Sequence, residues 1–509
     1  MNVINSHCMN KVRYILILCL LSCSVVAYSQ TFGEVSRSSF WQESQNVAGI
    51  RQDSLSRSYA EVYGRYEEGG FRDTWQAPRT WSVGAVTGSI RHLEHMSLTG
   101  SFSFEQTEGY DMCGSMFMKP GYFPIDVLEF TPGRKTLLAY SFDGGMAYDL
   151  NGQWTLGARM DFNSSNLAKR KDLRHANWRL DMTVAPGVMY RNGSWALGLS
   201  PVFRKVAETI DAEQVGTAES SYYAFLDKGL MYGIRQVWTG SGIHLQEAGV
   251  NGLPVREYSY GGAFQMQYRN IFADFEMLRT AGSAGEKEYI WFEFPGMTMD
   301  ADLRYRWGRE SREHNLRLHF DWKRQGMDES VLEKVSENGI TTVLNHGSNR
   351  ILSKSSWKIA PEYEMLHEVM DARAGMDVAM HEGMSSQVYP YIYTQSLTQL
   401  AAYLQFVFHY GMFDLGVKGT YGTGWLSETE RLASEGSGVQ SVPFRLQDWY
   451  DRQMEYRIAP RFCSEIMLRY SFLNGLYLEA ELVLTEACRL KHIEDPHRFA
   501  AVLKCGYNF

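Results

Sequence analysis

Proline is scarce in this chain, with 13 in 509 residues, and cysteine is scarcer, with 7. No apolar run in the body of the chain reaches the ~18 residues that a membrane helix needs. Each shortage excludes something. Helical membrane spans are excluded outright. No Pro/Gly/Ser-rich linker and no block of like charge divides the chain, so a single large domain fits better than the three that ~150 residues per domain would allow. No CxxC pair and no metal-ligand spacing occurs, so no metal, cofactor or catalytic centre is expected. The formal charge is only −8 and is spread along the chain, which argues against a nucleic-acid partner.

What is present is alternation. From Leu138 the even positions read Leu138, Tyr140, Phe142, Gly144, Met146, Tyr148 and Leu150. After Asn151-Gly152-Gln153 they read Trp154, Leu156, Ala158, Met160 and Phe162. The intervening positions include Asp143, Asp149, Arg159 and Asp161. Strict alternation on both sides of an Asn-Gly predicts two β-strands and a tight turn, with Leu150 facing Trp154. The same grammar recurs around Asn192-Gly193, Asn270, Gly308, His367, Gly411 and Asn474-Gly475. The segment Trp154-x-Leu156-Gly157 is echoed by Trp195-x-Leu197-Gly198. Val184-Ala185-Pro186, Ile359-Ala360-Pro361 and Ile458-Ala459-Pro460 form a second echo, and proline inside a strand suggests a repeated device such as a bulge.

The phase opposite the apolar one decides the environment. It carries Arg159, Asp161, Arg179, Asp181, Asp300, Asp302, Arg304 and Arg306. A soluble barrel would turn the apolar phase inward, whereas a membrane barrel turns it to lipid and lines a wet lumen with these charges. Closure would satisfy every backbone N–H and C=O, as lipid demands. Connections alternate between short turns and longer stretches at 107–134, 207–254, 282–296, 326–352, 383–396 and 425–453, the pattern of periplasmic turns and outer loops. The expected fold is therefore an all-β, antiparallel, up-and-down transmembrane barrel. About sixteen strands are expected (14–18), or eighteen if Trp81–His92 pairs with a preceding stretch.

Lys11 and Arg13 precede the apolar run Tyr14 to Cys23, and Ala27-Tyr28-Ser29 precedes Gln30. That is the layout of a secretory signal peptide over residues 1–29. Lipoprotein processing at Cys23 is the alternative. Residues 30–80 are expected to form a periplasmic or plug-like segment, and 81–509 the barrel. Scattered apolar residues between Ser39 and Glu67 have roughly helical spacing. Cys113, Cys463, Cys488 and Cys505 remain after the leader, and spacing does not pair them. Cys463 and Cys505 lie on opposite phases and should not bond.

Several stretches resemble known families. Ser44-Gln45-Asn46-Val47-Ala48-Gly49-Ile50 resembles the N-terminal segment that plugs long-chain fatty-acid transporters of the outer membrane; a short helix in or under the barrel without a transport role is the alternative. The final strand, with Tyr507 and Phe509, resembles the signal that barrel-assembly machinery reads during insertion. His346-Gly347-Ser348-Asn349 resembles the core of outer-membrane phospholipase A, but Arg350 stands where that family has Gly, so a polar turn in an outer loop is the expectation. His92-Leu93-Glu94-His95 fits no zincin spacing. Lys169-Arg170-Lys171 is expected as a solvated run within reach of lipopolysaccharide phosphates. Asp73 to Pro78, Gly100 to Phe104 and Val127 to Arg134 resemble an uncharacterised outer-membrane barrel family of Bacteroidota, which implies a location and no site residues. The expectations are a channel or transporter for small or hydrophobic solutes, a non-transporting barrel serving an envelope protein partner, or a barrel hydrolase. Lipid and lipopolysaccharide would surround it in the outer membrane of a Gram-negative cell.

Overall fold

The structure is a computed structural model. It describes residues 39–52, 56–213, 223–233, 235–239, 253–286, 289–309, 312–337, 340–431 and 446–509. The leader expected over residues 1–29 lies outside the described residues.

The chain forms antiparallel hairpins in sequence. The first strands are β1 (Arg57–Gly69), β2 (Arg79–His92), β3 (Met96–Ser115), β4 (Asp126–Asp149), β5 (Trp154–Lys169), β6 (Arg174–Asn192) and β7 (Trp195–Glu213). A short hairpin follows, β8 (Tyr223–Asp227) and β9 (Arg235–Thr239). The wall resumes with β10 (Leu253–Tyr268), β11 (Ile271–Glu286), β12 (Tyr289–Arg309), β13 (Arg312–Glu337) and β14 (Ile340–His367). It continues through β15 (Met370–Ser385), β16 (Tyr393–Tyr410) and β17 (Phe413–Glu428) to helix α1 (Leu446–Ile458). It ends with β18 (Arg461–Ser471), β19 (Leu476–Ala487) and β20 (His497–Asn508).

β7 pairs directly with β10, and β8 pairs with β9 and with the outer end of β4, so that hairpin stands off the wall. β20 pairs with β1 from Tyr59↔Asn508 to Gly69↔Arg498, which closes an eighteen-strand barrel. A closed register leaves no edge strand and no unpaired backbone for lipid to meet.

The opening hairpin has the register its sequence dictates: Tyr148 faces Leu156, and Phe142 faces Phe162. The Asn151 side-chain oxygen accepts from the backbone N–H groups of Gln153 and Trp154, each at 2.9 Å. Leu150 N–H donates to Trp154 O at 2.9 Å. The apolar phase points outward, with Phe142 and Leu199 each more than half exposed on the protein's own surface. At the short-turn rim, aromatic pairs form a girdle: Trp154 with Tyr190 at 4.8 Å, Trp195 with Tyr268 at 4.4 Å, and Phe413 with Tyr470 at 4.7 Å between centroids. Amphipathic rings favour that lipid–water boundary. By the short-turn rule this rim is periplasmic.

Four sequence expectations are corrected. The barrel begins at Arg57 rather than residue 81, because β1 is a stave. Its inward phase carries Tyr59 and Tyr63 and its outward phase Ala60 and Gly64, so apolar character on both faces hides the alternation. Helical character survives only as a single 3-10 turn, Val47–Gln52. The stretches 282–296 and 326–352 are mostly strand: β11 and β12 are separated by residues 287–288 alone, and β13 and β14 by 338–339. Their polar outer faces read as loop although they remain paired. Finally, residues 446–458 are helix, with Tyr450 and Met454 buried one turn apart, so Ile458 of the echo ends a helix and the strand leading to Asn474 starts at Arg461.

The proline echo is a gap, not a bulge. Val184 pairs with Phe203 and Val188 with Leu199, so the register does not shift across the unpaired stretch around Pro186. Pro361 repeats this between Ile359↔Val378 and Glu362↔Gly375. Pro460 instead follows α1 and lies outside the ladder. All four described cysteines are free.

The outer half of the barrel has an apolar core. Residues 116–125, between β3 and β4, fold inward with β8 and place Met116, Phe123 and Leu226 against inward-facing Ile210, Leu253 and Phe294. Phe294 is fully buried in this cluster. Phe294→Ala is expected to destabilise the barrel by about 3–5 kcal/mol through transfer and cavity costs. Urea unfolding in lipid vesicles, followed by tryptophan fluorescence, measures this.

Candidate functional site

The lumen is closed by different means at its two ends. At the periplasmic mouth lies the segment Ser39 to Gln52. Six small residues on the inner face of neighbouring staves make room for it. A Cβ on Gly145 would meet Val47 at 2.6 Å, one on Gly157 would meet Ala48 N at 2.6 Å, and one on Gly187 would overlap Asn46 Oδ1. One on Gly198 would lie 2.7 Å from Asn46, and Ala147 and Ala196 complete the hollow. The Gly157–Gly198 echo in the sequence is therefore a seat.

Polar contacts hold the segment in this seat. Asn46 is fully buried, and its amide donates to Val188 O at 3.0 Å and Gln265 Oε1 at 3.1 Å. Arg159 Nη1 donates to the carbonyls of Ser44 at 2.9 Å and Gln42 at 3.3 Å. Across the mouth, Glu43 is ion-paired with Arg304 and, at 3.2 Å, with Arg317. Arg51 closes the far end, donating to Asp149 at 2.8 Å and to Ser97 Oγ at 3.1 Å. Trp41 packs edge-on to Phe272 at 5.2 Å and donates its indole N–H to Gln267 at 2.6 Å. Arg306 lies over the Phe40 ring at 4.4 Å.

The eight charges picked out on the lumen phase fall into two groups. Arg159, Asp161, Asp302, Arg304 and Arg306 belong to the mouth. Arg159 bridges Asp143 at 2.8 Å and Asp161 at 3.3 Å, while Asp302 joins Arg304 at 2.9 Å and Arg317. Asp300 sits beside them, 3.5 Å from His319. Arg179 and Asp181 belong to the outer closure. Arg179 pairs with Glu208 at 3.0 Å and lies over the Tyr122 ring at 4.5 Å, and Asp181 pairs with Arg204 at 2.7 Å. Glu208 also accepts from Met118 N at 2.8 Å, and Glu257 accepts from Tyr122 Oη at 2.9 Å. These charges hold inserted chain, which their phase alone does not reveal because the inserted chain lies far away in order.

The helix α1 completes the outer closure. Trp449 meets Phe130 edge-on at 5.0 Å, and Tyr450 Oη accepts from Gln395 at 2.8 Å. Glu455 accepts the backbone N–H groups of His492 and Ile493, each at 2.7 Å, which ties down the β19–β20 connection. Between α1, the inward chain and the wall of β13 to β16 lies a cavity of about 390 Å³.

Other candidates are placed differently from expectation. His346 to Asn349 lie within β14, Ser348 and Asn349 opposite Ser330 and Glu329, rather than in a turn. His346 Nε2 is 2.6 Å from Glu333, and no His346–Ser348 hydrogen bond forms among the described residues. Lys169 is buried, not solvated: its Nζ lies 2.6 Å from Glu129, which Lys135 also approaches at 3.3 Å. His92 Nδ1 is 2.7 Å from Ser97 Oγ in a tight connection. Tyr507 and Phe509 stack at 5.8 Å at the barrel's closing seam.

A closed wall of eighteen antiparallel strands, an outward apolar band with an aromatic girdle, and a charged interior define an integral outer-membrane β-barrel protein. The chain belongs to the family of unknown function DUF6850, whose model matches residues 47–509, from the 3-10 turn in the mouth through the last strand. No curated protein matches the sequence. Among solved structures, it is similar to FpvA of P. aeruginosa bound to a heterologous pyoverdine, with 8% identity, 89% of this chain and 72% of that one covered, and a TM-score of 0.41. It is similar to the ferric enterobactin receptor PfeA of Pseudomonas aeruginosa at 8% identity, with 90% and 82% covered and a TM-score of 0.42. The outer membrane protein OpdK of Pseudomonas aeruginosa gives 7% identity, 89% and 99% covered and a TM-score of 0.32. The barrel itself is defined by its own closed register, independently of these neighbours.

Proposed function

We propose that the protein is an outer-membrane transporter for a small solute, whose path is held shut at rest and opens when the segment 39–52 leaves the periplasmic mouth. The observation that carries this reading is the kind of contact that holds the segment. Arg159, Arg304, Arg317 and Arg51 hold it by ion pairs and hydrogen bonds to groups that water can replace. Each such exchange is worth only about 0.5–3 kcal/mol net, so the closure is reversible. Export through the leader and insertion guided by Tyr507 and Phe509 belong to the same reading.

Planar-bilayer recording tests it. Wild-type protein is expected to be closed, and a chain that lacks residues 39–52 and carries a short Gly-Ser linker in place of the inward residues 116–125 is expected to show discrete conductance steps, because either closure alone blocks the lumen. No conductance from either protein, together with no solute uptake into proteoliposomes, would overturn the transporter reading. One observation favours a second reading, a non-transporting barrel that presents its outer surface to an envelope partner: the apolar core inside the outer half, which water does not readily replace. The hydrolase reading has less support, since the His346 ring is engaged with Glu333.

A further inference from the structure

The cavity beneath α1 is lined by cations and by the carboxylates Asp126, Asp227 and Glu382, and no ion pair joins the two sets among the described residues. Three cations reach it: Lys323 from β13, Lys354 from β14 and Arg457 from the last turn of α1. They come from three separate elements and converge only in the fold. Lys323 Nζ donates to the carbonyl of Tyr122 at 3.2 Å, which neutralises no charge. The side chains of Lys354 and Arg457 make no ion pair and no hydrogen bond among the described residues. Elsewhere in this lumen the arginines are matched to carboxylates at ion-pair distance, as Arg159, Arg179 and Arg304 are.

The carboxylates nearest the cavity are already engaged. Asp227 accepts the backbone N–H groups of Gly229 at 2.8 Å and Met231 at 3.3 Å. Asp126 accepts from Ser115 Oγ and Val127 N, each at 2.7 Å. Both lie in the outer chain above the membrane, and burial raises both carboxyls, Asp126 to about 8. Each accepts from neutral donors, and neither reaches a cation at ion-pair distance among the described residues. Withdrawing cations from bulk water without counter-charge is costly. A bound anion would remove that cost.

The rest of the lining sets the shape of the occupant. Trp449, Phe123 and Leu397 supply apolar wall, and Gln325, Gln395 and Gln399 supply neutral amides. A cavity of about 390 Å³ is within the range of small-molecule sites. We infer that this cavity binds a small organic anion, with its carboxylate or phosphate held by Lys323, Lys354 and Arg457 and its apolar body against Trp449. This names the solute class for the transport reading and rests on that reading for its meaning in the cell. Binding itself does not require transport.

The test uses full-length protein in detergent, titrated calorimetrically with benzoate, with phenyl phosphate, and with benzamide as an uncharged match in shape. At least one anion is expected to bind at least about tenfold tighter than benzamide, and the difference to shrink with salt. The tighter of the two anions identifies the headgroup. Lys354→Met and Arg457→Gln are each expected to weaken that anion by about tenfold and to leave benzamide unchanged. Both variants must migrate as folded barrels in unheated gels. Neither anion binding tighter than benzamide, or both variants binding as wild type, would overturn the site. Selective binding without solute uptake into proteoliposomes would sink the transport reading and leave the site standing. Uptake without charge selectivity would do the reverse.

Discussion

Replacing Gly157 by valine is expected to expel the segment 39–52 from the periplasmic mouth. The Cβ at this position would lie 2.6 Å from Ala48 N and 2.9 Å from Val47 Cγ1. Carbon contacts settle near ~3.5–4.0 Å, so one side must move. The wall cannot, because Gly157 is paired on both sides, with Ala147 of β4 and Gly187 of β6. The inserted segment must give way, and with it the contacts that Asn46 and Glu43 make to the wall and that Arg159 makes to Ser44. Cleavage within residues 39–52 by added protease is expected to rise at least about tenfold, as local opening of this kind predicts. Gly144→Val is the control, since nothing lies within 4 Å of its Cβ on the outward face of β4. Equal protease resistance in both variants would show that the glycine seat does not hold the segment.

The second large effect is expected from deleting Phe509. Its backbone N–H and C=O both pair with Ser58, each at 2.9 Å, at the point where the last strand meets the first. Its ring stacks on Tyr507 in the periplasmic girdle. Deletion therefore removes two seam hydrogen bonds, the terminal aromatic and the feature that assembly machinery is proposed to read. Folded barrel in outer-membrane fractions should fall by at least about tenfold, because an open seam exposes backbone that lipid cannot satisfy. Heat-modifiable migration of the protein on gels measures the folded fraction. Phe509→Tyr, which keeps the backbone and an aromatic ring, should restore most of it. Normal yield from the deletion would mean that the seam closes without its last residue.

Staves and register were legible where one phase was wholly apolar and the other wholly polar. Leu138 to Phe162 is such a case, and its pairing of Leu150 with Trp154 follows from a turn whose Asn151 supplies its own acceptor. β1 was not legible, because a tyrosine can face a lumen as readily as lipid. Tyr63 and Tyr477 do so, donating to Glu105 and Glu61 at 2.6 Å each. The lumen charges could be picked out by phase, but phase does not reveal a partner. Glu43 and Arg304 are far apart in sequence and meet only because the chain enters the barrel before building it. The cationic cavity was the least legible part. Lys323, Lys354 and Arg457 stand on three separate elements, and the apolar periodicity of α1, which carries Arg457, is weak.

The length of β13 and β14 has a consequence at the cell surface. Trp322 and Trp357 pair near the outer boundary of the apolar band, and β13 runs on to Glu337. That is fifteen further residues, or roughly 50 Å of strand at ~3.3 Å per residue. Strand tilt reduces the height to ~35–40 Å. The paired tip, with Val331 and Leu344 exposed, thus projects well beyond the apolar band. An antibody or a phage tail fibre approaching the cell would meet this mast.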